Sequence, residues 1–293
     1  MLMDGKALGL KIRESVKIKS KALQEKGIIP CLAVILVGED PASLSYVKSK
    51  EKALAEASME SRDLRLPAST NEAELLTLIE QLNKDDKIHG ILVQLPLPKH
   101  INEENIIGAI DPKKDVDCFH PVSVGNMVLG KKSFLPCTPH GVLMLLQEYG
   151  VKTQGAKVTV VGRSNIVGKP LANLLIRKEY NATVTLCHTG TKDMIYHTLQ
   201  ADILIAAAGV PGFIKPEMVK DGAAVIDVGI NRVNDPAAKK GYRLCGDVDP
   251  TVADKALYFT PVPGGVGPMT IAMLLQNVVE AAELGIISHE SGV

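Results

Sequence analysis

Short runs of consecutive apolar residues alternate along the chain with longer stretches whose apolar positions recur at helical spacing. Such alternation marks βα units and a parallel sheet, so the expected fold class is α/β. In the first half, buried strands are expected at Cys31–Val37 and 88–95, with a weaker one at about 62–66; helices are expected at about 42–58 and 71–83. In the second half the strands fall at 157–162, 182–187, 202–206, 223–228 and 257–260. Helices separate most of them, and a last helix runs over about 270–284.

Two breaks interrupt the pattern. Leu135-Pro136-Cys137-Thr138-Pro139 precedes a helix, with Thr138 placed as its N-cap and Pro139 as its first residue. The run from Thr260 to Pro268 (TPVPGGVGP) precedes the last helix. One α/β domain is therefore expected before about residue 138 and a second from there to about 270.

Composition narrows the function. A length of 293 residues suggests about two domains, and 46% hydrophobic with 23% charged residues supplies material for both cores. The 33 lysines and arginines are balanced by 33 acids, so there is no cationic surplus for nucleic acid, and 3% aromatics leaves few platforms for stacking bases. The longest apolar runs, Cys31–Val37 and 203–210, are too short to span a membrane. Asp4 and Lys6 stand where a secretory leader needs apolar residues. Five cysteines, odd in number and without C-x-x-C, read as free thiols of a reducing cytoplasm. The seven histidines lack ligand-like spacing, so no metal site is expected.

The strand at 157–162 runs into Gly162-Arg163-Ser164-Asn165-Ile166-Val167-Gly168-Lys169-Pro170, with a helix expected near Pro170. This strand–turn–helix order suits a dinucleotide: glycine lets amides approach the diphosphate and the helix start attracts it. Ser164 replaces the second glycine of G-x-G-x-x-G. The next strand ends in Cys187-His188-Thr189-Gly190, with no carboxylate for a ribose hydroxyl, whereas Arg163 and Thr189 suit a 2′-phosphate. That favours NADP over NAD, the other readings being a structural βα turn and a solvated Arg163. Asp227 closes a further strand at the ligand edge, as a ligand contact or as a structural carboxylate.

In the first half, Asp40-Pro41 starts a helix that carries Tyr46 and Lys50 one turn apart. Lys50 lies beside the apolar stripe of Val47 and Leu54, as a desolvated base or as a surface lysine. Gln94 interrupts the apolar run GILVQLPLP and must bond either a ligand or a loop. Asp115 and Asp117 share a loop, either with one carboxylate as acceptor for the N–H groups of a heterocycle or with both solvated. Pro261 to Pro268 is a rigid loop against which a flat ligand can lie, or a hinge.

Taken together, Tyr46-x-x-x-Lys50, GILVQLPLP (90–98), KDVD (114–117), PCTP (136–139), GRSNIVG (162–168) and PVPGGVGPMT (261–270) resemble the bifunctional methylenetetrahydrofolate dehydrogenase/methenyltetrahydrofolate cyclohydrolase family, in its order and over almost the whole chain. The resemblance implies two domains with a cleft between them. A folate-binding α/β domain at 1–138 would be completed by a helix at about 271–293, and a Rossmann-type parallel-sheet NADP domain would occupy 139–270. It implies a homodimer through the NADP domain. It implies oxidation of methylenetetrahydrofolate by NADP, then hydrolysis of the methenyl cation to formyltetrahydrofolate. By the same resemblance Lys50 is the catalytic lysine, Gln94 its hydrogen-bond partner, Tyr46 a stacking residue and Asp117 the pterin carboxylate. Pro263, Gly264 and Gly267 would line the folate, and Gly162, Arg163, Ser164, Thr189 and Ile230 would hold NADP.

The chain departs from the family pattern at Cys118, where glycine is more frequent, at Thr189, where serine is usual, and at Gly190, where a basic or bulkier residue is frequent. Two other readings share parts of the pattern. Another two-domain NADP dehydrogenase, of the shikimate or amino-acid type, does not predict PVPGGVGPMT. A non-enzymatic nucleotide sensor leaves the folate-side residues without a task.

Overall fold

A seven-residue apolar run has no polar face to present to water, so it becomes a strand covered on both sides. Cys31–Val37 does this, with every residue buried. The structure, a computed structural model, describes residues 1–238 and 241–290. In chain order the elements are α1 (Gly5–Gln24), β1 (Cys31–Val37), α2 (Pro41–Glu56), β2 (Glu60–Leu66), α3 (Glu72–Lys84), β3 (Gly90–Val93), α4 (Glu103–Ala109), α5 (Pro121–Val128) and α6 (Cys137–Glu148). Then follow β4 (Lys157–Val161), α7 (Gly168–Leu175), β5 (Thr183–Cys187), α8 (Met194–Leu199), β6 (Ile203–Ala206), β7 (Ala224–Asp227), β8 (Asn231–Asn234), β9 (Tyr242–Cys245), β10 (Tyr258–Phe259) and α9 (Val266–Glu290). The chain forms two compact units, Lys11–Leu135 with Ile271–Val293, and Met1–Leu10 with Pro136–Thr270.

The first unit is built on a parallel sheet in the order β2-β1-β3. Ala33, Ile35 and Val37 of β1 pack with Ile91 and Val93 of β3 and with Leu75, Ile79 and Leu82 of α3. Each of these valine, leucine and isoleucine side chains contributes about 1.5–3 kcal/mol by leaving water. A capping box starts α3: Asn71 accepts from the Glu74 amide at 2.9 Å, and Glu74 accepts from the Asn71 amide at 3.1 Å. Asn277 of α9 donates to the carbonyls of Val116 (2.7 Å) and Leu135 (2.9 Å).

The second unit holds an all-parallel sheet, β10-β7-β6-β4-β5. Counted from the β5 edge in chain order this is 2-1-3-4-5, so the winding reverses between β4 and β6. Beyond the carboxyl ends of those strands lies the crevice where such sheets bind ligands. β8 and β9 form an antiparallel hairpin.

Residues 1–10 belong to this second unit rather than to the stretch 1–138 in which the sequence places them. The Met3 amide bonds the Phe259 carbonyl at 2.8 Å and the Lys6 amide bonds the Gly264 carbonyl at 2.9 Å. The strand expected at 88–95 is shorter, because its pairing with β1 runs only from Leu32↔Gly90 to Ile35↔Val93 and Pro96 has no N–H to extend it. α6 begins at Cys137 with Pro136 as its N-cap, not at Pro139. The Thr138 hydroxyl pairs with that of Thr270 at 2.9 Å instead of capping the helix. Cys31, Cys118, Cys137 and Cys187 are buried free thiols, and Cys245 is half-buried. Among the described residues no helix is long and apolar enough to cross a membrane, and no group of three or more His, Cys, Asp or Glu is arranged for a metal ion.

Candidate active site

Asp40 starts α2 by accepting a hydrogen bond from the Ser43 amide at 2.8 Å, with Pro41 in the first turn. That start sets the register in which Tyr46 and Lys50 share a face, the ammonium nitrogen lying 4.8 Å from the ring centroid. Lys50 is only 5% exposed, and its Nζ donates to Gln94 Oε1 at 3.1 Å. Gln94 directly follows β3. Its amide bonds the Ile35 carbonyl at 2.8 Å and its Nε2 bonds the Leu95 carbonyl at 2.8 Å, so the oxygen that meets Lys50 is held from both ends. Residues from two sequence segments, Tyr46 and Lys50 of α2 and Gln94 after β3, thus converge at the carboxyl edge of the first sheet.

The two loop carboxylates separate cleanly. Asp115 is buried, and its oxygens accept the amides of Phe119 (3.1 Å) and His120 (2.9 Å). It therefore shapes the turn. Asp117 is half-buried between Val116, whose carbonyl is tied to Asn277, and Cys118. Cys118 has φ of 58°, a left-handed backbone that costs a non-glycine residue about 1–2 kcal/mol. Burial pushes its thiol up to about 12.

In the second unit, Gly162 follows β4 with φ of 127°, and a Cβ there would overlap the Ala207 carbonyl oxygen behind β6. Only glycine lets the loops after β4 and β6 touch and leave a cradle for a diphosphate. Ser164 Oγ accepts from the amides of Val167 (3.1 Å) and Gly168 (3.3 Å). The serine thus caps the start of α7 and offers its own hydroxyl to an anion. Val161 pairs with Cys187, so Arg163 and Thr189, each two residues further on, leave neighbouring strand ends, and both are exposed. The His188 amide bonds Thr191 Oγ1 at 2.8 Å and the Gly190 amide bonds His188 Nδ1 at 3.0 Å, which puts Thr189 at the tip of a tight turn. These groups fit a phosphorylated dinucleotide.

Ile230 follows β7 and is 51% exposed. Its Cδ1 lies 3.0 Å from where a Cβ on Gly267 would stand, so this residue and the proline–glycine loop meet. In that loop Pro263 is exposed and Gly264 has φ of 113°. A cavity of about 920 Å³ lined by Ile28, His89, Lys114, Ser123, Phe134 and Glu280 lies at the opposite, amino-terminal edge of β1 and β3, away from Lys50.

Comparison with known proteins adds an independent line. Residues 3–117 match the family model described as tetrahydrofolate dehydrogenase/cyclohydrolase, catalytic domain, and residues 136–285 match the same family's NAD(P)-binding domain. The chain is 56% identical to the bifunctional protein FolD of Moorella thermoacetica over 282 residues, covering 96% of this chain and 98% of that one. The solved FolD methylenetetrahydrofolate dehydrogenase/cyclohydrolase of Campylobacter jejuni is 51% identical, with a TM-score of 0.92 over 97% of this chain and 99% of the other. The Trypanosoma brucei enzyme of that name, solved with NADP and an inhibitor, is 39% identical with a TM-score of 0.93, covering 98% of each chain.

Proposed function

The chain belongs to the tetrahydrofolate dehydrogenase/cyclohydrolase family, and on that premise we propose that it oxidises 5,10-methylenetetrahydrofolate with NADP and then hydrolyses the methenyl product to 10-formyltetrahydrofolate. The observation that carries this reading is the buried Lys50 amine, fixed by Gln94 and set over the Tyr46 ring. When bound, NADP supplies the hydride acceptor.

The chain's own groups do the rest. Gly162, Arg163, Ser164, Thr189 and Ile230 hold the carrier. Tyr46 stacks on the folate, Asp117 takes the pterin N–H groups, and Pro263, Gly264 and Gly267 give it a flat wall. In the hydration step the Lys50 amine accepts a proton from water as the water oxygen bonds to the methenyl carbon, and Gln94 Oε1 holds the resulting ammonium. The proton then passes to N5 as its bond to that carbon breaks, and the hydroxyl proton leaves to water as the C–O bond becomes the formyl carbonyl. A surface lysine, mobile in water, would not be fixed in this way.

Replacing Lys50 with Met should lower hydrolysis of methenyltetrahydrofolate by about 10²–10⁴-fold, the usual worth of a positioned base. Hydration at the wild-type rate would end the proposal. A coupled assay with either nicotinamide carrier, following reduced carrier and methenyl intermediate, measures the NADP preference that Arg163 and Thr189 support. Shikimate should give no reduced carrier. We place the protein in the cytoplasm, where its free thiols are stable, as a homodimer through the second unit; sedimentation velocity tests the latter.

A further inference from the structure

Two carboxylates sit beneath the ligand edge of the second sheet. Asp227 ends β7 at 2% exposure and accepts three amides: Gly229 (3.0 Å) and Asp247 (2.9 Å) on Oδ1, Val248 (3.0 Å) on Oδ2. Asp247 is fully buried. Its Oδ2 accepts the amides of Ala208 (2.7 Å) and Gly209 (2.8 Å), and its Oδ1 accepts Asn231 Nδ2 at 2.8 Å. A Cβ on Gly229 or Gly246 would overlap one of these carboxyl groups, so both glycines make room for them.

The consequence is directional. Gly229 is tied by its amide and Asn231 by its side chain, and between them stands the exposed Ile230. The other Asp247 oxygen, Oδ2, fixes the loop after β6, whose Ala207 carbonyl packs against Gly162. One buried pair therefore anchors the chain on both sides of Ile230 and the loop that supports the glycine turn. We propose that Asp227 and Asp247 are positioning residues that set the seat of the dinucleotide carrier without touching it. This rests on the reading of the site given above.

The test compares Asp247→Ala, Asp247→Asn and Asn231→Ala. Asn at 247 keeps an oxygen for the Ala208 and Gly209 amides, and Asn231 can turn its own amide to face it. Asp247→Ala should raise KM for NADP and its calorimetric Kd about tenfold or more, with a smaller change in kcat at saturating NADP. Hydrolysis of methenyltetrahydrofolate, which uses no hydride acceptor, should fall much less. Asp247→Asn should restore most of the affinity, and Asn231→Ala should raise Kd about threefold. Should Asp247→Ala fail to fold by circular dichroism, Asn231→Ala decides alone. Wild-type NADP affinity in Asn231→Ala and in folded Asp247→Ala would overturn the proposal. Because NADP affinity is measured without folate, that result is distinct from a wild-type protein that turns over no folate.

Discussion

Asp227 holds two opposed forces in one carboxyl group. Burial, the larger, pushes it up to about 6 from an ordinary 3.8, while the amides of Asp247, Val248 and Gly229 pull the other way. The folded chain thus binds this proton more tightly than the unfolded one, so its contribution is fully present below about pH 4 and is lost as pH rises through about 6. Asp227→Asn does not titrate; across pH 4–6.5, urea melts should show wild type losing stability relative to the variant, and parallel curves would contradict this. His140 has the opposite sign. Its Nδ1 is buried with no partner among the described residues, and desolvation brings the ring down to about 4 from 6.5. Stability from its neutral form is present above about 6.5 and lost as pH falls through about 4. Melts of His140→Gln should show a shallower acid-side decline. At this scale the sequence is half legible. An apolar stripe beside Lys50 and an amide inside an apolar strand left each open between a ligand contact and a structural one, and the structure joins the two by a hydrogen bond. Nothing in the spacing of Asp227 and Asp247 joins two carboxylates twenty residues apart, because strand pairing and a hairpin bring them together.

Elements were easiest to read where one physical signal dominated. β1 followed from an uninterrupted apolar run, and α2 from an aspartate followed by proline. The latter has a direct test: Asp40→Ala removes the acceptor of the Ser43 amide and should cost about 1 kcal/mol in urea melts. It should also lower hydrolysis, since the first turn sets the register of Lys50; unchanged stability and rate would refute both. α1 escaped although Leu8, Val16, Ser20 and Leu23 share one buried face, because lysines crowd the rest of the helix and Ser20 interrupts the apolar stripe. β8 and β9 escaped because each has only four residues, none of them fully buried. Short hairpins of that kind leave little apolar alternation to detect.

At the scale of the molecule, the two breaks in the hydrophobic pattern located the parallel sheets, but not the first ten residues. Those are held by backbone bonds to β10 and the proline–glycine loop, which side-chain patterns do not record. The division also predicts a selective response to ligand. NADP at a hundredfold excess over its Kd should stabilise its binding unit by about 2.7 kcal/mol. In calorimetry the transition of that unit should therefore move upward more than the other. Equal shifts would count against a carrier site confined to β4, β5 and β7.

The buried thiols offer a clock for the same events. Burial pushes Cys31 up to about 11, Cys118 to about 12, and raises Cys187 as well, so none is an effective nucleophile at neutral pH while the fold is closed. A maleimide should therefore alkylate the native chain at Cys245, the half-buried sulfur, and add the others only as their surroundings open. Cys31 and Cys118 would time the release of one unit, and Cys137 and Cys187 the other. Peptide mapping of the order of modification would reveal which half of the molecule comes apart first.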